Sequence, residues 1–201
     1  MESIDWIVYI NLDRRTDRRE QMEAELERTG IKADRFSAIE HPVGIVGCGK
    51  SHLAVLKMAR DRGCRHVLIL EDDLEFMMTR EEMDFEMQQL LMYEPTIDFD
   101  VVKIDYLLQK SEDTEYPFLG RAIASQTASG YLVAGAYLNT LIDLYEENFP
   151  LLESTGKHWI YANDQIWKCL QEKDRWYYFK KRFGKQRDGF SDNSNCFQKR
   201  S

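Results

Sequence analysis

Three consecutive carboxylates, Glu71, Asp72 and Asp73, follow directly on the apolar run His66–Leu70 (HVLIL). Adjacent anions repel one another unless water or a counter-charge neutralises them, so a divalent cation is a natural partner for the group. Hard oxygen donors favour magnesium, manganese or calcium over zinc. The competing reading is an acidic turn that ends a buried strand and faces water. Arg14, Arg15, Arg18 and Arg19 form a second charged group. Beside the free N–H groups of a helix start they would suit an anion such as a diphosphate; otherwise they pair on the surface with Asp13, Asp17 and Glu23. Gly47–His52 (GCGKSH) is a third candidate, a glycine-rich turn whose N–H groups could meet an anion. Gly44–Ser51 (GIVGCGKS) even satisfies the spacing of a phosphate-binding loop, but no convincing apolar strand precedes it, so a phosphotransferase is kept only as an alternative. His52 reads as structural rather than as a ligand. Asp164, in a first helical turn, is a cap or a general base, and Asp105 stands at the C-terminal end of a strand.

These residues must be positioned by an alternation of strands and helices. Trp6–Leu12 reads as a first strand and Thr16–Gly30 as the helix after it, so the arginines fall at the mouth of a βα unit. A short strand is expected within Ile31–Ile39, a glycine loop over His41–Gly49 and a helix over Lys50–Arg60. His66–Leu70 has the uninterrupted apolar character of a strand buried on both faces, and its acidic end lies where open α/β sheets bind ligands. Thr79 and Glu82 have capping-box spacing ahead of a helix that carries Met83, Met87, Leu90 and Leu91, with Pro95 as its end. Asp100–Ile104, Ala122–Gln126 and Gly130–Ala134 read as strands, and Lys110–Pro117 as a polar loop. A helix over Ala136–Asn148 closed by Pro150, another within Trp159–Asp174 burying Ile166 and Leu170, and a last strand at Trp176–Lys180 complete the reading; Gly189–Asn195 is a polar tail.

The chain has 201 residues, which suits one domain over 1–201 rather than two, either alone or as one domain of a larger protein. No apolar run is long enough for a membrane span, and the N-terminus lacks the pattern of a signal peptide, so a cytoplasmic location is expected. Cys48, Cys64, Cys169 and Cys196 have no zinc or disulfide spacing and read as free thiols. A net charge of −8 argues against nucleic acid as a partner, although Lys180, Lys181, Arg182, Lys185 and Arg187 make the C-terminal part locally basic, as a solvated face or a phosphate contact.

Taken together, INLDRRTDR (Ile10–Arg18), GCGKSHLAVL (Gly47–Leu56) and LILEDDLEF (Leu68–Phe76), in this order, resemble glycosyltransferase family 25, the family of bacterial lipooligosaccharide and procollagen galactosyltransferases. SGYLVAGAY (Ser129–Tyr137), NDQIW and GFSDNS are similar to its later, weaker segments. The resemblance covers most of the chain and is loosest over Asp98–Ala128. The compact length also suits a small relative, such as those large DNA viruses use on capsid glycans, which would place it in the host cytoplasm. The resemblance implies an α/β GT-A fold, a Rossmann-like, mostly parallel central sheet flanked by helices. It further implies manganese or magnesium on a DxD-like motif, here Glu71-Asp72-Asp73, with Asp73 as direct ligand and Glu71 on metal, ribose or neither. Asn11, Arg14, Arg18 and Ser51 would cradle the nucleotide and diphosphate of a UDP-sugar, with Asp72 on ribose or donor sugar. The acceptor would be a hydroxyl of a glycan or glycoprotein, attacked with inversion, and Asp164 first, then Asp105, would be the base, with Asp192 contributing from the tail. A non-catalytic nucleotide-sugar binding module is the alternative from another class.

Overall fold

Side chains alternate between the two faces of a strand, so one apolar run can enter two cores at once. In the computed structural model, which describes residues 1, 3–92, 96–191 and 196–199, the first half of the chain forms β1 (Trp6–Asn11), α1 (Thr16–Thr29), β2 (Asp34–Ser37), α2 (Gly44–Asp61), β3 (His66–Glu71), β4 (Leu74–Phe76) and α3 (Arg80–Leu91). The second half forms β5 (Val101–Lys103), β6 (Leu107–Asp113), β7 (Leu119–Gln126), β8 (Gly130–Ala134), α4 (Leu138–Thr155), three single-turn helices α5 (His158–Tyr161), α6 (Asn163–Ile166) and α7 (Lys168–Gln171), then β9 (Trp176–Phe179), β10 (Gly184–Gln186), β11 (Gly189–Ser191) and β12 (Cys196–Gln198). Pro95 and Asp192 lie outside the described residues.

Eight strands make one sheet in the order β2-β1-β3-β8-β5-β9-β7-β6. The β1–β2, β1–β3 and β5–β9 pairs are parallel, whereas β8 and β7 run against their neighbours, so the Rossmann-like sheet is mixed in direction. β1, β3 and β5 nevertheless point the same way and end on one edge. Val67 and Ile69 of β3 enter the core under α2 and α4, while Leu68 and Leu70 enter the opposite core under α1 and α3. All four are fully enclosed, each contributing about 1.5–3 kcal/mol of burial.

The capping box of Thr79 and Glu82 is present in full, and Gly30 closes α1 in the left-handed conformation (φ 63°). Several expectations are corrected. α2 begins at Gly44, not Lys50, so the glycine-rich stretch is helix and no loop cradles a phosphate there. Residues 107–113 are the strand β6, not a loop; its side chains are mostly exposed, so no apolar alternation marks it, and its pairing with β7 shifts register twice. Pro150 does not close α4: it sits on the exposed face, where the carbonyl it leaves unbonded can meet water, and the helix ends at Gly156 (φ 67°). The helix expected within Trp159–Asp174 is broken into turns because Ala162 is extended (ψ 152°), and Leu170 is only half-buried. β9 is not the last strand, since β10 pairs antiparallel with β4 and β11 with β12.

Candidate functional site

Because β1, β3 and β5 end on one edge, Asn11, Glu71–Asp73 and Lys103–Asp105 are gathered there. A cavity of about 480 Å³ opens at this edge, lined among others by Arg14, Arg18, Cys48, His52, the three carboxylates and Gln186. Asp72 is held from β1 and α1. Asn11 donates to its Oδ2 at 2.7 Å and Arg18 to its Oδ1 at 3.0 Å; the same Arg18 nitrogen lies 3.5 Å from Asp73 Oδ2. Burial raises the Asp72 carboxyl above its ordinary range, with Glu71 adding to the rise and Arg18 and Asn11 opposing it. Protein groups thus supply part of the neutralisation that three adjacent carboxylates require. Asp73 also receives its backbone anchor from outside the strand, its carbonyl accepting the Arg187 N–H at 2.7 Å.

Glu71 turns the other way, towards α2. Its Oε1 lies 3.0 Å from His52 Nε2 and 3.6 Å from Cys48 Sγ, and Gln186 Nε2 is 3.4 Å from Oε2. Burial works to raise this carboxyl too, but the His52 hydrogen bond and field, Arg18 and the Cys48 thiol outweigh it and hold it below the usual range. His52 is fully enclosed and its Nδ1 lies 2.7 Å from the Tyr131 hydroxyl. A carboxylate cannot donate, so Nε2 carries its hydrogen towards Glu71.

The two candidate bases meet through one turn. Thr127, at φ 70°, donates its N–H to Asp164 Oδ2 (3.2 Å) and its hydroxyl to the Asp105 carbonyl (3.3 Å). Ser129 ties that turn to the acidic edge, since its carbonyl accepts the Glu71 N–H (2.8 Å) and its hydroxyl donates to the Asp105 carboxylate. Asp105 is enclosed (3% exposed) and also accepts the Tyr106 N–H at 2.8 Å, whereas Asp164 is half-exposed. Neither lines the 480 Å³ cavity. Between them lies Lys103, fully buried, its Nζ bonded to the Thr127 carbonyl and 4.1 Å from the centre of the Trp167 ring. Burial pushes its ammonium down to about 8, against the fields of Asp105, Asp164 and Glu71.

The arginines divide as their chemistry allowed. Arg15 pairs with Asp17 and Arg19 with Glu23, while Arg14, exposed at the cavity rim, pairs with Glu40 at 3.3 Å, and Arg18 alone of the four is paired with the acidic motif among the described contacts. Ser51 lines the cavity, yet its hydroxyl is engaged, donating to the Gly47 carbonyl (2.7 Å) and accepting the Ile39 N–H (2.8 Å). Within the basic C-terminal run, Lys180 pairs with Asp113, Lys181 with Glu82 and Arg187 with Glu25. Gln186 and Lys103 are site residues that sequence reasoning missed; His52, read as structural, is enclosed and hydrogen-bonded, and Cys48, read as a free thiol, lines the cavity. Cys48 and His52 are four apart, a spacing that puts both on one helix face once α2 is begun at Gly44.

No family model matches the chain. It is 33% identical to a glycosyltransferase 25 family member of Drosophila melanogaster over an alignment that takes in 37% of this chain and 17% of that protein's length. Among solved structures it is similar to a glycosyltransferase involved in glycosylation of the major capsid of PBCV-1 (TM-score 0.53, 8% identity, 94% of this chain and 95% of that one). The glycosyltransferase GlyE of Streptococcus pneumoniae TIGR4 is a more distant match (TM-score 0.48, 12% identity, 87% and 44%). The PBCV-1 likeness shows the fold, which is of the GT-A kind, and the Drosophila alignment makes part of this chain similar to a glycosyltransferase 25 family member that the chain spans only in small part.

Proposed function

We propose that the chain is a metal-dependent glycosyltransferase that moves a sugar from a nucleoside diphosphate, UDP by preference, to a hydroxyl of a glycan or glycoprotein acceptor. The observation that carries this reading is the convergence of Asn11 and Arg18 from the first βα unit on Asp72 and Asp73 at the mouth of one cavity. Asp72 and Asp73 are hard oxygen donors sharing one guanidinium, so a magnesium or manganese ion fits the group, with Asp73 as first ligand. When bound, such an ion stabilises the charge that develops on a departing diphosphate. Glu71 serves this site from behind, held by His52 and Cys48.

Arg14 and Arg18 face the phosphates, Arg18 giving up part of its hold on the aspartates as it does so. Transfer with inversion asks a carboxylate to take the acceptor proton opposite the leaving group. Asp164 suits that role better than Asp105, whose carboxylate is enclosed and spent on Ser129 and Tyr106. That neither aspartate lines the cavity favours the second reading, a module that binds a nucleotide sugar without transferring it.

One set of titrations separates the two. Calorimetry with UDP in manganese is expected to show binding that a chelator abolishes and that Asp73→Ala weakens at least about tenfold, or 1.4 kcal/mol. Metal-independent binding unaffected by Asp73→Ala would overturn the hard-ion assignment. Asp164→Asn, which can still accept the Thr127 N–H, is expected to bind UDP as wild type does while turnover of a sugar donor falls by the 10²–10⁴-fold typical of a lost base, roughly. Equal turnover in wild type and Asp164→Asn removes Asp164 from catalysis.

A further inference from the structure

At one place among the described residues, donor atoms of three residues that could hold a metal lie within 4.8 Å of one another: Cys48 Sγ, His52 Nε2 and a Glu71 carboxylate oxygen. We propose that these three residues form a zinc-type site on the inner wall of the cavity, separate in chemistry from the hard-ion group at Asp72 and Asp73. Thiol, imidazole and carboxylate together are a borderline-soft donor set, the kind that selects zinc over magnesium or manganese.

The spacing supports it. In a tetrahedral zinc site with metal–ligand lengths of about 2.0–2.3 Å, donor atoms stand roughly 3.3–3.6 Å apart. Here His52 Nε2 and Cys48 Sγ lie 3.0 Å and 3.6 Å from Glu71 Oε1, and all three donors lie within 4.8 Å of one another, so side-chain adjustment that draws sulfur and imidazole together converts the hydrogen-bonded triad to a metal-bound one. The outer shell is in place as well. His52 Nδ1 faces the Tyr131 hydroxyl at 2.7 Å, which fixes the ring, and Gln186 steadies the second oxygen of Glu71 at 3.4 Å. Tyr131 is itself fully buried, so the ring's partner is fixed. All three residues line the cavity, and a tetrahedral ion held by them has a fourth position for water or a ligand atom.

Binding involves no redox step. Cys48 releases its thiol proton to solvent as the sulfur–metal bond forms. His52 loses its Nε2 hydrogen and carries one on Nδ1, which then donates to the Tyr131 oxygen, and Glu71 exchanges two hydrogen bonds for one metal–oxygen bond. Glu71 then belongs to the zinc-type ion, and the hard ion rests on Asp72 and Asp73.

Cobalt(II) is the probe, because a thiolate ligand gives it a near-ultraviolet charge-transfer band. Under reducing conditions, the whole chain titrated with cobalt chloride is expected to show that band, saturating at one ion per chain and displaced by zinc chloride. Cys48→Ala loses the band, whereas Cys169→Ala and Cys196→Ala, at exposed thiols, keep it. Circular dichroism checks that each variant is folded, and Glu71→Gln, which keeps shape and the sulfur, is expected to weaken cobalt at least about tenfold. No nucleotide enters the measurement, and Asp73→Ala is expected to retain the band, so the result is independent of sugar transfer. A folded wild type with no band, or a band that survives in Cys48→Ala, overturns the site.

Discussion

Lys103 is an ammonium group with no exposed surface, bonded to a backbone carbonyl and laid over Trp167. Its value in the folded chain is about 8, below the ordinary 10.5, so between pH 8 and 10 the unfolded chain binds more protons than the folded one. Stability should therefore rise through that window, by about 2 kcal/mol, and be flat in this respect below pH 8. Urea denaturation at stepped pH would show the rise in wild type and its loss in Lys103→Met; an identical rise in both would assign it elsewhere. The lysine was invisible as a site residue in the sequence, where DVVKI reads only as a strand, because its environment comes from residues 127, 164 and 167 far along the chain. The acidic motif was legible because the strand before it is a contiguous run. What could not be read was that Glu71 turns away from Asp72, a consequence of which helix lies behind it.

At the scale of elements, the GCGKSH stretch shows where local reading stops. Glycine disfavours helix interiors by roughly 1 kcal/mol relative to alanine, which made a turn the natural expectation over 44–49. Packing reverses it. A Cβ on Gly49 would stand 2.8 Å from the ring of buried Phe149 on α4, and one on Gly47 2.6 Å from the Ile39 carbonyl. The glycines therefore let α2 approach α4 and the loop that walls the cavity. Gly49→Ala should lower stability by about 1–3 kcal/mol despite its better helix propensity, and Phe149→Leu in the same chain should restore part of the loss. Calorimetric unfolding of the two single variants and the double variant measures the coupling. Additive effects would mean the helices do not meet there as described.

For the molecule as a whole, two cores on opposite faces of one sheet explain why the α/β class was readable: the strands near the centre carry apolar runs, such as Val67–Leu70 of β3, that feed both faces. β7 was read as a strand over Ala122–Gln126, but its outer partner β6 was not, because only Leu108 of that strand packs against a core, and neither was the reversed direction of β8, since direction leaves no mark on composition. Both sheet edges share a further property. β2 spans four residues and itself carries Asp34 and Arg35; β6 exposes Gln109, Lys110, Glu112 and Asp113 and is bent by its register shifts. Replacing Lys110 and Glu112 together by valine should speed growth of light-scattering aggregates on warming, with little change in the unfolding midpoint; unchanged scattering would count against the edge as the weak point. The irregular strand that hid from sequence reading thus acts as a terminator. A straight, apolar outer strand would offer its unpaired backbone groups to the next chain as a template, and the bend and the charges leave the sheet with eight strands and no invitation for a ninth.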